Sequence, residues 1–435
     1  MSHVSGVDLS VLTADVVVCG GGVAGTMAAV AAARQGADVV LVERYGFLGG
    51  NATAGAVAQF NSWQTASGRP VVAGLAAEVV ERLSLYQGAA SHETFVMSTG
   101  HVMDRVEYAP ELLKLVLDDM VVEAGVRPLL HATLFDVSTS GRKIDSLHVL
   151  TKGGVLKLLP HVLIDASGDI DALKRAGARF LSLDDGEALQ PATMMFSFGP
   201  IYFERFEAIG VEELAALAKR GYEEGELARA ALHVSRSPYS SDGWFNISRL
   251  AIDATDPLAL SRAEIEGRRQ AWRAAEYLRH SVPGCERGRL LSFATQVGVR
   301  ETRRIEGDHV LSAEELLQPA DFDDAIAMGA YPIDIHPASG GSLDYRGLGD
   351  DHAYQIPYRS LIPSSFDNAL AIGRGVSATH AALAAIRVMT ISMAVGQAAG
   401  TAAAIATGNG LGDVRQVPMG PLRAALLLNG AVLPA

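Results

Sequence analysis

Three glycines and one acid carry the clearest chemistry in this sequence. Gly20, Gly22 and Gly25 stand in G-x-G-x-x-G spacing, and Glu43 follows 23 residues after the first of them. In such a series the first glycine permits a tight turn and the second lets a pyrophosphate approach the backbone. The third lets a helix pack closely on a strand. An acid at this distance suits a ribose diol. The spacing points to an adenine dinucleotide laid on a strand–turn–helix unit.

A second group of residues suits acid–base work and the holding of a polar substrate. It comprises Arg300, Arg303, Arg304, His336, Tyr358, Arg359 and His380. An arginine offers a fixed fork for a carboxylate or carbonyl, and a histidine titrates near neutral pH. Arg300 is the expected substrate anchor, with His336 or His380 as acid/base. Each also has a plainer reading. Arg304 and Glu301 lie three apart and suit a helix-surface pair, while Tyr358 and Arg359 suit packing between lobes. His336, in "IDIHP", is equally well read as a satisfied core histidine.

The elements that must position these residues follow from pattern. Residues 16–19 form an apolar β-branched run with the look of a buried parallel strand. An Ala-rich helix spans 23–34 and ends at Gly36 in a left-handed cap. A second strand, 38–42, delivers Glu43, and the glycine-rich loop "YGFLGGNATAG" follows it. After helical stretches at 74–85 and 110–125 comes a meander of three strands. Its segments are "LLHATLFDVSTSG", "KIDSLHVLTKGG" and "VLKLLPHVLIDASGD", with turns at Ser140-Gly141 and Gly153-Gly154. From about Gln190 charged helices and short strands suggest a separate lobe, with capping boxes at Ser261/Glu264 and Ser312/Glu315. A late strand and glycine turn, "NALAIGRGVSATH", return the chain to an Ala-rich helix at 381–408. The expected plan is α/β: a Rossmann-like nucleotide domain with a β-meander, residues 12–185 plus 365–435, split by an inserted α+β substrate/cap domain, residues 186–364.

Composition narrows the function classes. A net charge of −13 argues against binding a nucleic-acid backbone or an anionic membrane surface. The first residues lack a basic stretch followed by an apolar core, so a cytoplasmic location is expected. The segment 381–408 is long enough to span a bilayer but carries Arg387 and Gln397, and reads as a buried core helix. Cys19 and Cys285 are the two cysteines, with no C-x-x-C, which excludes a dithiol redox centre. No Cys/His cluster has zinc spacing, and no metal is expected.

NAD and FAD both use the opening motif. A nicotinamide dehydrogenase usually continues in doubly wound βα units, whereas this chain inserts a meander, closes it with "ASGD", and ends on a late strand–Gly turn and helix. That order resembles the FAD-binding domains of glutathione-reductase-like flavoproteins. Within them the chain resembles the FAD-dependent oxidoreductase family, a relative of succinate dehydrogenase and fumarate reductase flavoproteins. The matching segments run from "VVVCGGGVAGTMAAVAAARQGADVVLVER" through "LIDASGDIDALKRAGA", "YPIDIH" and "IPYRSLIP" to "NALAIGRGVSATHAALAAIRVMTISMAVGQAAGTAAAIA".

The resemblance implies FAD contacts at Gly20, Gly22, Val23, Ala24 and Gly25, with Glu43 on the adenosine ribose and Arg44 beside it. Gly49, Gly50 and Asn51 would approach the flavin, and Leu134 would contact adenine through its backbone. Gly168 and Asp169 would flank the nucleotide, and Gly373 and Arg374 would lie along the diphosphate or ribityl. Arg387, Val388 and Met389 would offer a helix N-terminus to the flavin pyrimidine, where reduced flavin carries negative charge. Arg374 stands where related enzymes often carry an acid. Phe47 and Leu48, not the histidine of covalent flavoproteins, precede Gly49-Gly50, which implies FAD held without a covalent bond.

Three reactions follow. The first is a dehydrogenase or reductase passing hydride between a small polar organic substrate and flavin N5. The second is a flavin monooxygenase, although "GRGVS" replaces the G-D-A-A-H of aromatic hydroxylases. The third is a lyase or hydratase with structural FAD. The fumarate-type motif beginning His-Gly is absent, because Ala381 follows His380. With one dinucleotide fingerprint, electrons must pass through substrate, oxygen or a separate donor or acceptor. Oligomeric state is left open.

Overall fold

The central sheet grows outward from the first strand, Ser10–Cys19. On one side it pairs in parallel with Val39–Val42, which pairs in parallel with Arg127–Leu129. On the other it pairs in parallel with Gly154–Asp165. The first half of Gly154–Asp165 is the last strand of an antiparallel meander with Lys143–Thr151 and Thr133–Ser140. Its final residues pair in parallel with Ala369–Ala371, so one long strand joins the meander to the nucleotide sheet. The structure, a computed structural model, describes residues 10–96, 100–184, 187–336 and 344–434.

Residues 16–19 are buried on both faces, which is why they read as a continuous apolar run rather than an alternating one. The helix Val23–Arg34 is buried from Val23 to Ala32. Against it packs the helix Met389–Gly408. Gly396 and Gly400 face Ala24 and Ala28 so closely that a Cβ on either would overlap those carbonyl oxygens. Small residues four apart let the two backbones touch. Met389–Gly408 is apolar and long enough to cross a membrane, and 83% of its most apolar window is buried inside the protein.

Residues 192–299 hold a second hydrophobic cluster, including Phe196, Phe198, Phe245 and Leu278. It lies between the long helix Pro257–Ser281 and an antiparallel sheet ordered Val234–Arg236, Gly243–Phe245, Phe196–Gly199, Arg289–Phe293. Residues beyond this stretch, such as Leu311, Ile333, Tyr354 and Ile356, pack in the main cluster with the nucleotide helices. The expected unit 186–364 is therefore not packed around one core, and its expected edge at 185/186 lies outside the described residues.

Local corrections have simple causes. Pro257 starts its helix with Asp256 as cap, so Ser261 is interior and bonds back to the Pro257 carbonyl. The Ser312/Glu315 capping box is formed. The expected helix 381–408 is two, His380–Ile386 and Met389–Gly408, broken at Arg387-Val388.

Candidate active site

The glycine turn opens onto a long cleft. Gly20 turns the chain at φ 107°. Gly22 caps the first helix at φ −64°, and a Cβ built on it would meet no atom within 4 Å. It faces a space of about 1440 Å³, counted with its open mouth. Gly20, Gly22, Val23, Ala24, Glu43, Arg44, Gly49, Gly50, Asn51, Gly168, Asp169, Gly373, Arg374, Arg387 and Met389 all line it. Three expected contacts do not, and one of them, Val388, lines only the adjoining space described below. Gly25 lies beneath the turn, where a Cβ would overlap the Gly20 carbonyl. Leu134, expected to meet adenine through its backbone, is not in the lining, and its side chain is buried in the meander core with Val137 and Val149 across a register shift in that strand.

At one end of the cleft the buried Glu43 carboxylate accepts the Gly21 N–H at 2.7 Å and the Tyr45 N–H at 2.9 Å. Each oxygen keeps a further lone pair for a hydroxyl donor. Arg44 donates to Gln296 Oε1 at 2.6 Å. Nearer the rim shared with the second space, Asp169 Oδ1 accepts Thr302 Oγ1 at 2.8 Å and Arg374 Nη2 at 3.0 Å. Arg303 donates to the Asp169 carbonyl. Asp165 builds this turn from below: its buried carboxylate accepts Ser167, Ala172 and Leu173 N–H groups, and burial pushes it up to about 6.

The far end of the cleft opens into a second space of about 820 Å³, its mouth included. Asn51, Val299, Arg374, Arg387 and Met389 line both. Arg300 lines this chamber and donates from Nη1 to the Pro191 carbonyl and, at 2.7 Å, to Thr193 Oγ1. Burial, then the neighbouring guanidiniums of Arg387 and Arg229, push Arg300 down to about 9. It remains a cation at neutral pH. His336 lines the chamber with Nε2 3.5 Å from Asp334 Oδ2. Burial and Arg300 push the ring down to about 4, so it is a neutral imidazole at pH 7. Burial alone would raise the Asp334 carboxyl, but the His336 ring, Arg387 and the Tyr331 hydroxyl at 3.0 Å hold it well below the usual range.

His380 is not in this chamber. It is 4% exposed, with Nδ1 2.8 Å from Glu301 Oε2, and Arg304 lies 3.6 Å from the same carboxylate. Thr379 caps the helix, and the first helical side chain turns into this buried charge cluster rather than to the cleft. Tyr358 is buried on the Val414 carbonyl, and Arg359 pairs with Asp324. Several chamber residues escaped sequence reasoning: Asp334, Tyr331, Asn61 and Asn246, with Gln190 bridging from behind. Gln190 Oε1 accepts Arg387 Nη2 at 3.1 Å. A signal existed for one of them, since Asp334 and His336 lie two apart at a strand and share a face.

Among the described residues no group of three or more His, Cys, Asp or Glu side chains is placed to hold a metal ion. The cleft does fit a dinucleotide. Its glycine faces open space and a carboxylate stands at one end. At the other end, buried Arg374 Nη1 and Arg387 Nε have no partner among the described residues.

Parallel sheet, glycine turn and cleft define a nucleotide-binding α/β protein of the flavoprotein type. The chain belongs to the FAD dependent oxidoreductase family, whose sequence model matches residues 15–426, and it is an FAD-dependent enzyme. No curated protein matches it by sequence. Among solved structures it is similar to a geranylgeranyl bacteriochlorophyll reductase-like protein of Thermoplasma acidophilum, at TM-score 0.50 and 11% identity, covering 97% of this chain and 85% of that one. It is also similar to a triple mutant of the flavin-dependent brominase Bmp2, at TM-score 0.50 and 12% identity, covering 96% and 84%. Both likenesses concern the fold.

Proposed function

We propose that FAD lies along the cleft, with its adenosine ribose at Glu43 and its isoalloxazine at the rim shared by the two spaces. On this reading the enzyme is a dehydrogenase or reductase of a small polar organic substrate held in the chamber. One observation carries it: five residues line both spaces, so whatever fills the far end of the cleft forms a wall of the chamber. When bound, FAD supplies two-electron chemistry by taking or giving a hydride at N5.

The chain's own residues supply binding and proton movement. Arg387 and the N-terminus of Met389–Gly408 place positive charge at the shared rim. His336 holds its Nε2 toward Asp334, which leaves Nδ1, buried and without a partner among the described residues, to take a proton from substrate. Asp334 then offsets the charge that appears on the ring, and Tyr331 keeps that carboxylate oriented. Phe47 and Leu48 before the glycine pair support a flavin released by acid or heat.

An anaerobic titration tests this. A polar substrate should bleach the flavin with no oxygen present. Turnover that needs both oxygen and a separate reductant would favour a monooxygenase instead.

A further inference from the structure

The charges of the chamber define the kind of molecule it takes. Arg300, Arg374 and Arg387 line it, and Asp334 is the one carboxylate among its described lining residues. Arg374 is matched by Asp169. Arg229 adds positive field at Arg300. His336, neutral at pH 7, does nothing to balance this excess. Arg300 is held by one edge: Nη1 is occupied by Pro191 and Thr193, and its other two nitrogens carry no hydrogen bond among the described residues. Asn61 Oδ1 and Asn246 Oδ1 are buried on the same chamber, also without partners among the described residues.

We propose, resting on the reading that the redox substrate sits in this chamber, that the substrate is a hydroxy acid or the corresponding oxo acid. Its carboxylate lies on the free edge of Arg300, and its neutral oxygen function lies among the carboxamides of Asn61 and Asn246, within the field of His336. The anion supplies the charge that the cluster of guanidiniums lacks. The carboxamides can accept from a hydroxyl or donate to a carbonyl. An amino acid carries the same carboxylate, but its ammonium would enter a space already rich in guanidinium, with Asp334 the one carboxylate among the described lining residues to offset it. A neutral amide lacks the anion.

The test uses anaerobic holoenzyme, followed by both flavin absorption and calorimetry. The probes are glycolate, lactate and mandelate, each with its amino-acid and amide counterpart. At least one hydroxy acid should give saturable binding. Its amide should bind about 10–150-fold more weakly, and the amino acid also more weakly. Arg300→Gln should lose the same factor while retaining FAD. If that variant does not hold FAD, Arg300→Lys serves, and should still bind more weakly because it lacks the fork. Equal binding of amide and acid, unchanged binding by the Arg300 variant, or silence of every hydroxy acid in both measurements overturns the proposal. Heat of binding that Arg300→Gln abolishes, without any flavin response, supports the anion site and overturns the placement of the flavin beside it.

Discussion

The cleft and the chamber share a rim but are built differently. In the cleft, much of the wall is backbone: the turn at Gly20, the open face of Gly22, the loop at Gly49-Gly50 and the turn at Gly168. Its acids are matched, Glu43 by two amides and Asp169 by Arg374 and Thr302. The chamber is walled by side chains from separate stretches of chain; Asn61, Asn246, Asp334 and His336 each bring to it alone a buried polar atom without a partner among the described residues, and Arg374 and Arg387 bring one each to the shared rim. Buried polar groups are normally paired, and unpaired ones cost free energy. The cleft is thus finished by a main-chain fold that any dinucleotide can use. On the proposed reading a ligand of its own completes the chamber, and specificity lies there.

Changes in the chamber should affect chemistry, and changes in the cleft should affect cofactor retention. The largest effect is expected at His336. With a substrate in hand, His336→Gln should lower the rate by about 10²–10⁴-fold and leave the flavin spectrum intact. The acid limb of kcat/KM should also report this ring. Because its pKa is pushed down to about 4, the neutral base form persists above that pH and is lost below it. The limb should fall near pH 4 rather than near 6.5, and vanish in the variant.

In the cleft, Gly22→Ala adds a Cβ in open space at an unstrained φ of −64°. It should leave the melting temperature of the apoprotein unchanged while weakening FAD by roughly 1.5–3 kcal/mol, the worth of a charge-assisted hydrogen bond. Unchanged affinity would show that no phosphate lies there. Beneath the cleft, Gly400→Ala would force apart the two helices that carry it and should cost roughly 1–3 kcal/mol in thermal unfolding. The smallest effect belongs to the thiols. Burial raises both, Cys285 to about 12, so neither supplies a thiolate. Cys19→Ala with Cys285→Ser should be reduced by substrate at the wild-type rate, and a flavin-loaded variant that resists reduction would contradict this.

The difference between the two regions also explains what the sequence made legible. The turn, first helix, second strand and Glu43 occupy one continuous stretch whose geometry follows from local rules, and they stand in the cleft as that spacing implies. His380 stands apart from the chamber because it opens the short helix His380–Ile386, which ends before the break at Arg387-Val388. The helix N-terminus facing the shared rim begins at Met389, and His380 instead meets Glu301, 79 residues away in sequence. Asn246 and Tyr331 had no local pattern at all, since their positions depend on how the second hydrophobic cluster and the nucleotide core come together.

The central claim is that the redox end of FAD forms the wall between cleft and chamber. A crystal structure of the FAD-loaded enzyme tests it most directly. The account predicts the adenosine ribose on Glu43 and the isoalloxazine at the rim of Asn51, Arg387 and Met389, with one face open to Arg300 and His336. An isoalloxazine at the Glu43 end, or one separated from the chamber by protein, would contradict it.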